Sequence, residues 1–382
     1  MIRALLLLLT LCFAIFVASQ TGCDSGGGGE KPGPSTAAPP ATEPLPESFD
    51  PHLQVKSVRD LGTVETNSVI AKRDCGYSAN YQGRSVWIFG DTFLEINNEQ
   101  NRSMLCNSWS ATYDIDAGDE LHGMSEKVDD VGAPVEFFPL TDAEHLYNEK
   151  HKGDDCAEQP CNAHWAIWPG AIVVDEKKDW AYIFYRKVHV EHGSFNFYHV
   201  GHSIAIWKNY NDPVHRPVFE LVEEYPTLFF SEGENGFGSA AFVEQEMLYV
   251  YGCELEEGSL AKPCRLARVP IASILDRSAW EFYQPQGDWS PDVSSAALIF
   301  NANEMMTVFY VPYIQRYVAV YSEPMTTHVM IRTATSPEGP WSRPRELFAA
   351  LEPEDDMGWV YDAMAHPEFS EDNGRVIYVT YS

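Results

Sequence analysis

A chain of 382 residues with 56 acidic against 26 basic side chains carries a formal charge of -30. That balance leaves no basic surface to displace counterions from a nucleic acid, and it suits neutral sugars or cationic ligands better. Hydrophobic residues make up 45% and aromatic residues 13%, enough to build a core in whatever part of the chain folds.

The first 23 residues read as an export signal. Met1 and Arg3 open a short charged region, Leu5 to Val17 is an apolar run too short for a comfortable membrane span, and small residues precede Cys23. Gly22-Cys23 resembles the processing point of a bacterial lipoprotein signal. This implies lipidation of Cys23 and a place in the bacterial cell envelope, facing periplasm or cell surface, with the membrane engaged through the lipid anchor only. Residues 24–49 contain a GGGG run and many Pro, Ala, Ser and Thr, with almost no large apolar side chains, so they read as a disordered tether. The body spans residues 50–382.

Along the body a strand rich in aromatic and β-branched residues recurs: Val86 to Asp91, Trp180 to Arg186, Met247 to Glu254, Arg316 to Ser322 and Arg375 to Ser382. Each belongs to a run of short strands, and helical periodicity is nearly absent apart from a possible turn at Ile271 to Asp276. The pattern predicts an all-β, five-bladed β-propeller with four strands per blade. The fifth unit ends after its second strand. Leu53 to Val64 is the natural supplier of the missing outer strands, so the ring is expected to close with strands from both termini.

One short stretch, Lys72 to Phe93, concentrates the chemistry. Asp74 precedes a first strand and Asp91 ends a second; in an antiparallel pair those positions share one edge of the sheet. Paired acids on a rigid edge suit glycosidic bond hydrolysis, where one protonates the leaving oxygen and the other attacks or activates water. The plainer alternative is that both are turn residues bonding local backbone.

The cysteines agree with export. Six lie in the body as three close pairs, and disulfides Cys75–Cys106, Cys156–Cys161 and Cys253–Cys264 are the preferred pairing of the fifteen that six thiols allow. No CxxC or HxxxH pair supports zinc.

Inner-strand starts and second-strand ends surround one mouth of a propeller. Those positions nominate Asp74 and Asp91; His164, Trp165, Trp168 and Arg186; Glu234 and Glu254; Glu304 and Arg316; and Asp362, His366 and Glu368. Aromatic faces bind sugar rings, and carboxylates and Arg bind hydroxyls. Trp168 before Pro169 also fits a core role, and Arg186 also fits simple neutralisation of a neighbouring acid.

The runs RDCGYSA, VWIFGDTF, IRTATSPEGPWSRP and YDAMAHPEFSEDNGRVIYVTYS resemble a family of five-bladed propellers long catalogued as a domain of unknown function and linked to endo-D-arabinanases. The family is distantly similar to the furanosidase propellers. The resemblance implies a glycoside hydrolase acting on a furanosyl, arabinan-like polysaccharide, with Asp74 as the first-blade acid and Asp91 as the aspartate of FGDT; the protein is expected to be a monomer. It also implies a third-blade acid, for which Glu234 is the candidate, and a channel histidine beside calcium, a part His366 could fill; no cofactor is otherwise required. Two departures stand out: Cys75 replaces a small residue, and His164 and Trp168 stand where the wider group has a second-blade Asp. The other class of function compatible with these residues is a non-catalytic propeller lipoprotein that binds glycan or protein at the cell surface.

Overall fold

The computed structural model describes residues 53–193, 195–254, 262–351 and 358–382. The export signal, Cys23 and the tether lie outside the described residues.

Short aromatic and β-branched strands separated by turns build antiparallel sheets that pack as propeller blades. The first blade contains β1 (Ile70–Tyr81), β2 (Arg84–Leu94), β3 (Met104–Leu105) and β4 (Ser108–Thr112), with β2 pairing with all three others. A long connection carrying the helix α1 (Asp142–Lys150) leads to the second blade: β5 (His164–Asp175), β6 (Trp180–Val190), β7 (Phe197–Trp207) and β8 (Phe230–Ser231). The third has β9 (Phe237–Glu244), β10 (Met247–Cys253), β11 (Lys262–Pro270), β12 (Glu281–Tyr283) and β13 (Trp289–Ser290), and β14 (Phe300–Ala302) adds to β11. The fourth is the plain meander β15 (Met306–Val311), β16 (Arg316–Ser322), β17 (His328–Ala334) and β18 (Arg345–Ala349).

The described residues therefore form four blades, not the expected five. Where the fifth was expected, only a two-stranded ladder forms, β19 (Met364–Ala365) with β20 (Val379–Thr380). Its strand β19 contacts both β15 and β1, two of the inner strands β1, β5, β9 and β15. The predicted supply of outer strands from Leu53 to Val64 is not seen: residues 53–66 join no ladder and are mostly exposed. Their apolar side chains are too sparse to bury a second sheet face; Leu53 packs against the cluster that contains Val318 and Val360, and Val64 against the one that contains Trp87 and Phe369.

Large aromatics fill the spaces between blades. Trp207, Trp109 and Phe137 meet between the first two blades, and Phe229, Phe230, Phe237 and Trp280 between the second and third. Burying each such side chain contributes roughly 1.5–3 kcal/mol. The inner strand β9 approaches β6 of the neighbouring blade closely at Gly238 (φ 124°): a Cβ there would lie 2.5 Å from the Phe184 Cβ.

α1 has no counterpart in the sequence reading. Its apolar residues form no continuous stripe, and it is held instead by a capping box between Thr141 and Glu144. Among the described residues two disulfides form, Cys156–Cys161 and Cys253–Cys264, the second joining directly paired residues of β10 and β11. Cys75 and Cys106 are free, against expectation. Cys75 lies over Gly90 at an irregularity of β1, whereas Cys106 packs against Ala166 and Val188 of the second blade, so the two thiols serve different contacts. Among the described residues no helix is long and apolar enough to cross a membrane.

Candidate active site

The site begins with a defect in the β1–β2 ladder. Arg73 pairs with Thr92, but the next pair is Cys75 with Phe89, so Asp74 is set against Gly90 and Asp91 across a bulge. Cys75 (φ 65°) and Gly76 (φ 139°) take the left-handed backbone the bulge requires. Gly90 permits the close approach, since a Cβ there would stand 3.3 Å from Cys75 Sγ and 3.8 Å from Asp74 Cβ.

Each carboxylate of the pair has its own support. The Tyr361 hydroxyl donates to Asp74 Oδ1 at 2.7 Å, and the Trp168 indole Nε1–H donates to Asp91 Oδ1 at 3.1 Å. Asp362, itself in the left-handed region (φ 55°), accepts the Cys75 N–H at 2.9 Å and so pins the bulge from the far end of the chain. Burial raises all three acids. Asp91 is pushed up to about 7, by burial and then by the negative charge of Asp74, with the indole bond opposing. Asp74 is raised by burial but restrained by Tyr361 and Lys72. Burial and Asp74 together push Asp362 up to about 6. The Asp74 charge favours the protonated form of Asp91, while Tyr361 and Lys72 favour the anion of Asp74.

Beside the pair lies a charged floor. Arg186, buried on β6, reaches Glu304 at 2.7 Å, and Lys262 Nζ stands 3.7 Å from the same carboxylate. Burial alone would raise Glu304, but Arg186 and Lys262 outweigh it and hold it low. Glu254, the residue after β10, is raised by burial, with the Gly236 N–H bond opposing, and stands 3.9 Å from His202 Nδ1. His199 and His202 keep Nε2 buried without a protein partner. Burial, aided by Arg186, lowers His199 to about 4 and holds His202 well below the usual imidazole range. Both imidazoles are neutral near pH 7.

Residues 71–381 match the family described as Domain of unknown function (DUF5005). The chain belongs to that family. A candidate hydrolase from Bacteroides ovatus ATCC 8483 resembles it with a TM-score of 0.51 at 17% identity, covering 81% of this chain and 79% of that one. An endo-1,4-β-xylanase from Bacteroides thetaiotaomicron VPI-5482 gives a TM-score of 0.44 at 11% identity, over 81% and 83% of the two chains. A GH43_1 enzyme from Xanthomonas citri complexed with xylotriose gives 0.40 at 10%, over 83% and 88%. At such identities only the first, by its TM-score, speaks for a shared fold. No curated protein matches the chain.

In this DUF5005 chain the remaining nominated residues divide. Arg186, Glu254, Glu304 and Asp362 join Asp74 and Asp91. Glu234 does not: Ser231 donates to it through N and Oγ, both at 2.7 Å, and Arg277 at 3.0 Å, and these bonds outweigh burial and lower its pKa. A glutamate held ionised in this way has no proton to give. Arg316 follows the β15–β16 turn, opposite Val311, and bonds the Gln315 carbonyl; it starts its strand rather than ending it, so it lies at the other edge from Glu304. His164 opens β5 near Arg102 and Glu136, with its pKa lowered by burial. Trp165 points to the opposite face of β5 from Trp168, where it meets His189 and Tyr147.

His366 is committed elsewhere. Its Nδ1 contacts Ser78 Oγ at 2.6 Å and its Nε2 contacts Thr380 Oγ1 at 2.8 Å, while its ring lies 4.1 Å from that of Trp87. With both nitrogens engaged by hydroxyls, these residues do not fit a calcium site. Among the described residues no group of three or more His, Cys, Asp or Glu is placed to hold a metal ion. Tyr361, Lys262, His199 and His202 were not nominated from sequence, and Trp168 was given no role there beyond platform or core. The one local signal was that Trp168 occupies the place of an expected second-blade Asp; its indole now bonds Asp91.

Proposed function

We propose that this chain is an exported, lipid-anchored glycoside hydrolase that cuts a furanosyl, arabinan-like polysaccharide at the Asp74–Asp91 pair. The observation that carries the reading is the coupling of those two carboxylates across the β1–β2 bulge, with Asp91 raised to about 7 and Asp74 held by Tyr361. Asp91, with Oδ1 taken by Trp168, gives its proton from Oδ2 to the leaving glycosidic oxygen. Asp74, as the anion, acts at the anomeric carbon as nucleophile or as base toward water. Asp362 positions Asp74 through the Cys75 N–H. Arg186, Lys262 and Glu304 supply donors and acceptors for sugar hydroxyls. The furanosyl substrate rests on the RDCGYSA and FGDT resemblance, and the Bacteroides ovatus protein of like fold carries a hydrolase description of its own.

A glycan-binding role without catalysis is the second reading, favoured by one observation: Glu234, the expected third-blade acid, is ionised and tied to Arg277. Incubating the protein with arabinans, arabinogalactan, fructans and xylans, and analysing released sugars, separates the two. Cleavage is expected, and Asp74→Asn and Asp91→Asn should each lower turnover by at least about a hundredfold while the protein stays folded. Binding without release by the wild type would replace the hydrolase with the glycan-binding reading.

A further inference from the structure

The β6–β7 hairpin carries an aromatic side chain that the chemistry above leaves unused. Phe197, the first residue of β7, pairs with Val190 at the end of β6, and its side chain is 39% exposed, whereas β7 is buried from Val200 onward. Its ring packs edge-on against Trp168, with centroids 4.8 Å apart, and Trp168 is the residue whose indole holds Asp91. His199 lies two residues on, on the same face, its ring nearly parallel to that of Phe197 at 18° and 6.1 Å. The Nε2 of His199 is buried, so this ring backs Phe197 and offers no polar atom to a ligand at the surface. Tyr198 turns to the other face and meets His189 at 5.0 Å, so it takes no part. Single exposed aromatics are common on protein surfaces. Phe197 differs because one indole ring connects it to a carboxylate of the reacting pair.

We propose that Phe197, backed by Trp168 and flanked by His199, is the platform of a sugar-binding subsite adjoining Asp91, holding the unit of a neutral polysaccharide next to the bond that is cut. The apolar C–H face of a sugar ring covers the exposed phenyl ring. The subsite rests on the hydrolase reading for its placement beside the cut bond. It makes a separate claim about affinity.

The test uses Asp91→Asn protein, which binds without turnover, and compares its affinity for the glycan selected by the panel with that of Asp91→Asn/Phe197→Ala and Asp91→Asn/Phe197→Tyr. Loss of the ring should weaken binding about tenfold, and tyrosine should restore it, with thermal unfolding reporting that all three are folded. In the catalytically intact background, Phe197→Ala should raise KM by a similar factor and leave kcat within about twofold. Equal affinity of the alanine and phenylalanine proteins for a glycan that the wild type cleaves overturns the subsite alone. Weaker binding by the alanine variant of a glycan that the wild type binds but never cleaves upholds the subsite and overturns hydrolysis. A panel in which nothing is bound or cleaved overturns both.

Discussion

Asp91 is the residue on which opposing forces are most evenly set. Burial and the Asp74 charge favour its protonated form, and the Trp168 indole favours its anion. An acid that must be protonated to act loses activity as pH rises through its pKa, so the alkaline limb of turnover should fall near about 7. Trp168→Phe removes the bond that favours the anion. The limb should therefore move to higher pH in a pH–rate profile, and movement downward or none at all would show that the indole does not tune Asp91. The same balance touches stability. A carboxylic acid raised on folding stabilises the native state below its unfolded value, and that contribution is lost as pH rises through about 7. Asp91→Asn should accordingly raise Tm near about pH 8, with the gain shrinking toward about pH 4; a variant less stable than wild type at every pH would argue that Asp91 serves packing rather than chemistry. The two aspartates were legible in the sequence because both sit on one hairpin. Tyr361 and Asp362 were harder to assign, since their partners in β1 lie more than 280 residues away.

At the scale of elements, strands announced by aromatic and β-branched runs formed where expected: Val86 to Asp91 lies inside β2, Trp180 to Arg186 inside β6, and Arg316 to Ser322 is β16 itself. Period and composition suffice there because each run is buried between blades. α1 escaped the same logic because polar contacts hold it. Glu144 accepts Arg216 at 2.7 and 3.1 Å and pairs with Lys187 at 2.7 Å, all three side chains being buried. Burial would raise Glu144, but the two cations prevail and lower it to about 2. Glu144→Ala leaves Arg216 and Lys187 buried without their counter-charge and should cost about 3–5 kcal/mol by urea denaturation near neutral pH. The sign with pH follows from the depressed value: the stabilisation is present above the ordinary carboxylate range and lost as pH falls toward about 2. Wild type and variant should therefore converge in acid, and a constant gap would assign the loss to the helix cap instead.

For the whole molecule, the number of blades was the feature least legible in sequence. Arg375 to Ser382 has the composition of a full strand, yet among the described residues only Val379 and Thr380 of it enter a ladder, and no outer strand pairs with it. What the short ladder does is tie the last residues to the segment that supports the site. Tyr361 and Ser382 exchange backbone bonds at 3.1 and 2.9 Å, the His366 N–H donates to the Tyr378 carbonyl at 3.0 Å, and Thr380 engages the His366 ring. Tyr361 in turn grips Asp74, and Asp362 the bulge beside it. Removing residues 377–382 strips these bonds from the segment that supports the carboxylate pair, each worth about 1 kcal/mol. The shortened protein should unfold several degrees lower and lose more activity than Tyr361→Phe, which deletes one hydroxyl and spares the ladder. Thermal unfolding and turnover of the two proteins, measured side by side, check this. Equal activity in both would mean that the ladder supports the site only through that hydroxyl, and an unchanged Tm after truncation would mean that the four blades hold together without it.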